Sequence, residues 1–243
     1  MKNLLSVLVI ITSLLVSCTS ENIDDTEPLD SEVLKEKSVN TGKMLTTDNP
    51  ANPANPYDIA GKIHNDILDS YLTGNHSCTT IAEISQKVDS ISALNSDLLN
   101  LATNLPISYG EIQQIIDDPQ LELEQAIANA PMTNTAKDCL SDFMASMLLW
   151  EGNEYSVIHQ SIISFETSVV SSVMFSTEEK RIILTTSSIT RYSMYYSKKR
   201  KDKDWETSVG NRAGALQGAI DNSCTAIKKS TVAGIMIQNL QTQ

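Results

Sequence analysis

The fold class of this chain follows most directly from residues 58–72, DIAGKIHNDILDSYL. Ile59, Ile63, Ile67 and Tyr71 recur every four residues, which is the spacing of one face of a helix. Gly74 comes shortly after and is a common helix stop. The spacing therefore predicts an amphipathic helix from Asp58 to Leu72.

Helical periodicity continues along the rest of the chain. It predicts long helices at 79–103 and 208–240, among others. Residues 154–175 are rich in β-branched side chains that suit strands, but their apolar positions alternate steps of three and four and favour a helix. No repeat of 20 to 50 residues is present, which argues against a solenoid. We expect an all-α domain over residues 57–243, a single bundle of about six to seven helices.

The chain is acidic, with a formal net charge of −12. A basic run at 198–203 is interrupted by Asp202 and is typical of a helix C-terminus. Without a broad basic surface to neutralise phosphates, the composition argues against a nucleic-acid partner.

Residues 18–56 have the composition of a tether. Acidic residues dominate its first part, and residues 49–56 read NPANPANP. Each proline fixes its own φ and restricts the asparagine before it, which favours polyproline II. We expect a disordered, flexible Pro/Asn-rich segment that precedes the bundle.

The N-terminus has the parts of a secretory signal peptide. Lys2 is followed by a short apolar stretch, which ends at Leu15-Val16-Ser17-Cys18. These four residues resemble the lipobox of bacterial lipoproteins. The resemblance implies that residues 1–17 are removed and that Cys18 carries the acyl chains, palmitate among them. Such chains would anchor the protein to a membrane without spanning it.

Two further stretches resemble uncharacterised helical lipoproteins of Bacteroidota. One is N-P-Y-D-x-x-G-x-x-H-N, which begins at Asn55, and the other combines Ala213-Gly214-Ala215 with Gly218-Ala219. The resemblance implies a lipid-anchored protein of the cell envelope, in the outer membrane and facing the periplasm or the cell surface. It implies no activity.

The first predicted helix carries the most suggestive polar cluster. Asn65 and Asp69 share a helix face, Asp66 lies three residues before Asp69, and oxygen ligands of this kind suit a divalent cation. His64 projects toward the opposite side. His64, Asp66 and Asp69 are therefore candidates for a metal or hydrolase site, and a structural helix with a half-buried histidine is the alternative.

Gly210, Gly214 and Gly218 are spaced by four residues and leave one helix face without side chains. Such a face permits close approach of another helix. It could be a helix of the same bundle, a partner or a second copy of the chain.

Three cysteines remain outside the lipobox: Cys78, Cys139 and Cys224. Export to an oxidising compartment favours one disulfide among them, and buried free thiols are the alternative. The familiar hydrolase, P-loop, zinc and dinucleotide motifs are absent. Three Phe, two Trp and seven Tyr offer few rings for stacking on sugars.

Together these features favour a non-enzymatic interaction or structural module, with no cofactor, held on a membrane by its lipid. A small envelope hydrolase or metal-binding protein that uses His64, Asp66 and Asp69 is one alternative. A self-associating or antagonist module that uses the glycine face is the other.

Overall fold

Helix α1 (Asp58–Thr73) forms where the four-residue apolar spacing predicts it, and the Gly74 N–H ends it by donating to Tyr71 O. The computed structural model describes residues 49–74, 76–101, 105–150, 152–200 and 205–241. The predicted signal peptide, the predicted lipobox with Cys18 and the part of the predicted tether up to residue 48 lie outside the described residues. Within those ranges the chain forms ten helices and no strand. After α1 come α2 (Ile81–Ser92), α3 (Ser96–Leu99), α4 (Tyr109–Asp117), α5 (Pro119–Asn129), α6 (Asn134–Trp150), α7 (Tyr155–Ser171), α8 (Thr177–Arg200), α9 (Trp205–Asp221) and α10 (Ser223–Gln241).

The all-α prediction is confirmed, including the helix at α7, but the expected six to seven helices are too few. Two predicted helices are each divided at an asparagine. Asn95 Oδ1 accepts a hydrogen bond from Leu98 N at 2.9 Å and begins α3. Asn222 Oδ1 accepts one from Thr225 N at 2.9 Å and begins α10. An asparagine side chain competes with the backbone for helical N–H groups, so each of these positions starts a new helix.

Helices α8 and α10 lie at the centre of the domain. Residues 182–194 of α8 and 224–237 of α10 are buried without interruption. Many of these buried side chains carry hydroxyl groups. Some bond to carbonyls of their own helix, as Thr186 Oγ1 does to Ile182 O and Thr190 Oγ1 to Thr186 O, both at 2.8 Å, and others bond to a neighbouring helix, as Ser188 Oγ does to Asp58 O at 2.9 Å. Because these hydroxyls have hydrogen-bond partners, a polar sequence can be buried on every side.

Helices α9 and α10 form an antiparallel hairpin with a glycine-lined seam. A Cβ built on Gly214 would lie 2.8 Å from Lys229 O, and one on Gly218 would lie 2.5 Å from the carbonyl carbon of Thr225. The glycines therefore pack against α10 of the same chain. Of the three partners considered for the glycine face, it is therefore a helix of the same bundle that packs there. This packing leaves no room at Gly214 and Gly218 for a partner helix or a second copy.

The repeat at 49–56, which we call the Asn-Pro segment, packs on the helical domain. Its sequence predicts a part of the flexible tether in a polyproline II conformation. Instead, the Asn55 N–H donates to Asn52 O at 2.9 Å, which closes a turn, and both side chains are buried. Asn52 Nδ2 donates to Glu166 Oε2 at 2.6 Å, and Asn55 Nδ2 donates to Leu184 O at 3.1 Å. These buried amide bonds outweigh the extended preference of the Asn-Pro pairs, so the predicted boundary at residue 56 lies too late.

The structure contains no disulfide among the three cysteines that were candidates for one. Cys78, Cys139 and Cys224 are all free thiols. Cys224 is buried and the other two are half-buried, so the alternative of free thiols describes this fold. In the described part of the chain, no helix has the length and apolar character needed to span a bilayer.

Candidate functional site

Helices α1 and α8 lie side by side and run parallel. Three hydrogen bonds join them one helical turn apart: Gly61 N to Ser188 Oγ at 3.1 Å, Asn65 Nδ2 to Tyr192 O at 2.9 Å, and Tyr196 Oη to Asp69 Oδ1 at 2.6 Å. Each bond joins residues 127 positions apart in the chain. A constant offset of this kind is the signature of parallel helices in register, because both advance one turn between successive bonds.

The two helices are closest at Gly61. A Cβ at this position would lie 2.5 Å from Ser188 O and would also overlap the Tyr192 ring. Only glycine permits this approach. One and two turns later the residues in the same seam are Asn65 and Asp69 on α1, and Tyr192 and Tyr196 on α8. Their larger side chains fill the seam with polar and aromatic groups.

A groove of about 550 Å³ lies along this part of the seam, and we call it the tyrosine groove. Its volume falls within the range of roughly 300–1,000 Å³ typical of small-molecule sites. Because most of its wall is built from two helices, the groove is held in shape without a ligand. It is lined by Pro50, Lys62, Asn65, Asp66, Asp69, Leu72, Thr73, Tyr192, Tyr195 and Tyr196.

The α1 side of the groove carries charges of both signs. Lys62 Nζ lies 2.9 Å from Asp66 Oδ2 and 3.3 Å from Asp97 Oδ2, and all three side chains are about half exposed. These hydrogen bonds raise the pKa of Lys62, with Asp66 the largest cause, so the amine is a cation at neutral pH. Asp69 accepts a hydrogen bond from the hydroxyl of Tyr196, which fixes the Asp69 carboxylate against the α8 side.

The α8 side of the groove is aromatic. The Tyr192 hydroxyl donates to Asp58 Oδ2 at 3.2 Å. Burial, together with the charge of Asp58, raises the pKa of Tyr192, so the phenol stays neutral. The centroid of the Tyr195 ring lies 5.2 Å from that of Tyr155 on α7, and the two rings are tilted, which is one of the arrangements that aromatic pairs prefer.

A buried charge cluster adjoins the groove at Pro50. Arg191, which is fully buried, forms ion pairs with Glu166 and Asp58 and donates to Pro50 O. Glu166 accepts a hydrogen bond from Ser187 Oγ at 2.9 Å and another from the side-chain amide of Asn52. All the charges in this cluster therefore have partners from the chain itself. The cluster holds the Asn-Pro segment, α1, α7 and α8 together, and we assign it a structural role.

The structure separates the residues that were predicted as a metal or hydrolase site. His64 is fully buried and faces the core, as its place on the opposite helix side predicted. Asp66 and Asp69 lie in the groove. Among the described residues, no three histidine, cysteine, aspartate or glutamate side chains are close enough to hold a metal ion. His64 therefore does not contribute a ligand beside Asp66 and Asp69.

His64 is instead a neutral core residue. Asn65 Nδ2 donates to Tyr192 O, so Asn65 Oδ1 accepts from His64 Nδ1, 3.1 Å away. This assigns the proton to Nδ1 and leaves Nε2 buried without a hydrogen-bond partner. Burial lowers the pKa of His64 to about 4, and the bond to Asn65 offsets only part of this effect.

Sequence reasoning found the α1 side of the groove and missed the α8 side. From the sequence alone, Tyr192 and Tyr196 read as apolar positions of their helix, in one series with Ile182 and Ile189. The available signal was the four-residue spacing of Ser188, Tyr192 and Tyr196, which matches that of Gly61, Asn65 and Asp69. The spacing alone does not say that the two helices pair.

Comparison of the chain with protein-family models, with curated proteins and with solved structures finds no match in any of the three.

Proposed function

We propose that this protein is a lipid-anchored binding module of the bacterial cell envelope, and that the tyrosine groove is its recognition site. The observation that carries the proposal is the groove itself, where Tyr195 and Tyr196, with the largely buried Tyr192 beside them, face a row of polar side chains on the neighbouring helix. Small-molecule sites combine apolar surface with a few fixed polar groups in this way. The module is a single helical bundle that begins with the Asn-Pro segment.

The proposed localisation rests on the resemblance of residues 15–18 to a lipobox. Cys18 carries the lipid, and the chain between Cys18 and the Asn-Pro segment is the tether that separates the module from the membrane. We place the protein in the outer membrane, facing the periplasm or the surface. Its acidic net charge supports the need for a lipid, because a chain of charge −12 gains no attraction from anionic headgroups.

Binding without hydrolysis is favoured by where the carboxylates lie. Glycoside hydrolases place two carboxyl groups on either side of the bond that is cleaved. Asp66 and Asp69 both project from α1, and the opposite side of the groove is formed by tyrosines. The groove therefore offers two carboxylates on one side and no acid–base pair across a ligand.

Native mass spectrometry tests the binding function for a ligand of any chemical class. The full mature protein is incubated with an envelope extract, re-isolated and compared with an Asp69→Ala variant treated in the same way. We expect a bound species of defined mass on the parent protein that is lost from the variant. An Asp142→Ala variant, which removes an exposed carboxylate far along the chain on α6, should keep it. No bound species on the parent protein would overturn the binding function.

The lipid anchor is tested by mass spectrometry of the N-terminal peptide after expression in a host that processes lipoproteins. We expect an acylated Cys18 as the first residue. An unmodified Cys18, or a mature end elsewhere, would remove the anchor from the proposal and leave the groove unaffected.

A further inference from the structure

The lining of the tyrosine groove indicates which class of ligand it binds, an inference that rests on the proposed binding function. Its two sides differ in chemistry. The α8 side presents the partly exposed Tyr195 and Tyr196, with the largely buried Tyr192 beside them, and the α1 side presents hydrogen-bonding groups spaced three and four residues apart. A matching ligand has a flat apolar face and polar groups along its edge.

The charges of the groove do not favour an ion. A charged ligand is attracted by a surface that carries mostly the opposite sign. Here Lys62 lies between Asp66 and Asp97, so its charge is already offset, and an anion would also meet Asp69. A cation would meet the Lys62 ammonium inside the same groove. With Asp66 and Asp69 against Lys62, the lining disfavours an anion, and the presence of the Lys62 ammonium among the polar groups is our reason to infer a neutral ligand over a cation.

Hydroxyl groups suit these polar partners. Carboxylates accept hydrogen bonds, an ammonium donates them, and a hydroxyl does both. Asp69 is held in place by the Tyr196 hydroxyl at 2.6 Å, so its orientation is fixed before a ligand arrives. Pre-organised polar groups lower the cost of ordering on binding. A ligand with neighbouring hydroxyls could donate to Asp66 and Asp69 and accept from Lys62.

We propose that the tyrosine groove binds a neutral carbohydrate. The apolar C–H face of a sugar ring would lie on the tyrosine side, and its hydroxyls would contact Asp66, Asp69 and Lys62. The low aromatic content of the chain, which argued against sugar stacking, loses its force here. Three of the seven tyrosines are gathered in one groove.

A glycan array tests the ligand class directly. The full mature protein in detergent is applied to an array that carries neutral, acidic and amino oligosaccharides. We expect binding to neutral oligosaccharides, and at least tenfold weaker binding by the Asp69→Ala and Tyr196→Ala variants. The matched control is Tyr109→Ala, which removes an exposed tyrosine of α4 outside the groove and should bind as the parent does.

The outcomes separate the ligand class from the binding function. Binding confined to acidic or amino oligosaccharides would overturn the neutral-sugar proposal, and so would binding that persists in Asp69→Ala, an exposed position outside the hydrophobic core. If the array shows no binding but native mass spectrometry finds a bound species of non-carbohydrate mass, the binding function stands and the carbohydrate proposal falls. If neither experiment detects a ligand, both proposals are wrong.

Discussion

The α1–α8 seam and the α9–α10 seam both depend on glycine, and they differ in the residues one and two turns further along. In the α9–α10 hairpin, Gly214 and Gly218 both meet the backbone of the partner helix, so the two helices stay close along the seam. In the α1–α8 pair only Gly61 meets its partner so closely, and the next positions in the seam are Asn65 and Asp69. The first arrangement closes the interface, whereas the second leaves a groove lined with polar and aromatic groups. Glycines at successive turns thus keep two helices in contact along their seam, whereas the single Gly61 leaves room for a groove at the turns that follow it.

The largest effect should come from the charge cluster that supports the α1–α8 seam. Glu166 accepts hydrogen bonds on both oxygens, so Glu166→Gln must turn an NH2 group toward a donor and removes the fully buried one of the two carboxylates that pair with Arg191. We expect a loss of about 3–5 kcal/mol in the free energy of unfolding, measured by urea denaturation.

The matched control uses a second glutamate–arginine pair. Glu178 pairs with Arg181 at 2.5 Å, but its side chain is 58% exposed. Glu178→Gln should cost less than about 1 kcal/mol, because exposed ion pairs contribute little. Equal losses in the two variants would show that burial of the Arg191 cluster is not what stabilises the seam.

The free energy of unfolding should depend on pH through His64, a buried residue of α1. Its pKa is about 4 in the fold and about 6.5 in the unfolded chain, so the unfolded state binds a proton first as the pH falls. Stability should therefore be complete above pH 6.5 and decrease by about 2–3 kcal/mol as the pH falls to 4. Urea denaturation at a series of pH values measures this slope.

The His64→Gln variant isolates the contribution of His64. Glutamine retains a donor for Asn65 but does not titrate. We expect a shallower slope between pH 6.5 and 4 than in the parent. Burial and the nearby Arg191 also lower the pKa of His159, which leaves a residual slope in both proteins. An unchanged slope in the variant would contradict a buried neutral His64.

A smaller effect is expected from one added methyl group in the α9–α10 seam. In Gly218→Ala, the new Cβ would lie 2.5 Å from the carbonyl carbon of Thr225, and the backbone has to move. We expect a loss of about 1–3 kcal/mol, measured by urea denaturation. The control is Gly152→Ala, where a Cβ meets nothing within 4 Å. A neutral Gly218→Ala variant would mean that the hairpin is less closely packed than the structure shows.

The smallest effect should come from the exposed charges of the groove. Lys62→Met removes a half-exposed ammonium that pairs with Asp66 and Asp97. We expect a change of less than about 1 kcal/mol, because solvent and salt screen such pairs. Thermal unfolding at low and high salt measures it. A loss as large as that of Glu166→Gln would show that the α1 side of the groove is part of the stabilising core.

Sequence periodicity predicted the all-α class and the position of α1 because it reports local geometry. The spacing of Ile59, Ile63 and Ile67 states which face is apolar, whatever that face packs against. The same reasoning placed Asn65 and Asp69 on one side of α1 and His64 on the other, and the structure confirms both. Periodicity did not predict the helix breaks at Asn95 and Asn222, where one side chain caps a new helix. A capping hydrogen bond does not change the spacing of apolar residues, so periodicity cannot indicate it.

Tertiary structure decided what lies between the helices. The Thr- and Ser-rich part of α8 is buried although it is polar, because its hydroxyls find hydrogen-bond partners within the helix and on neighbouring helices. The Asn-Pro segment reads as an extended tether, yet partners more than a hundred residues away hold it: Glu166, Leu184 and Arg191. The tyrosine groove exists because α1 and α8 pair in parallel at an offset of 127 residues. A pattern within one segment cannot specify such pairings, since each depends on the free energy of contacts between segments far apart in the chain.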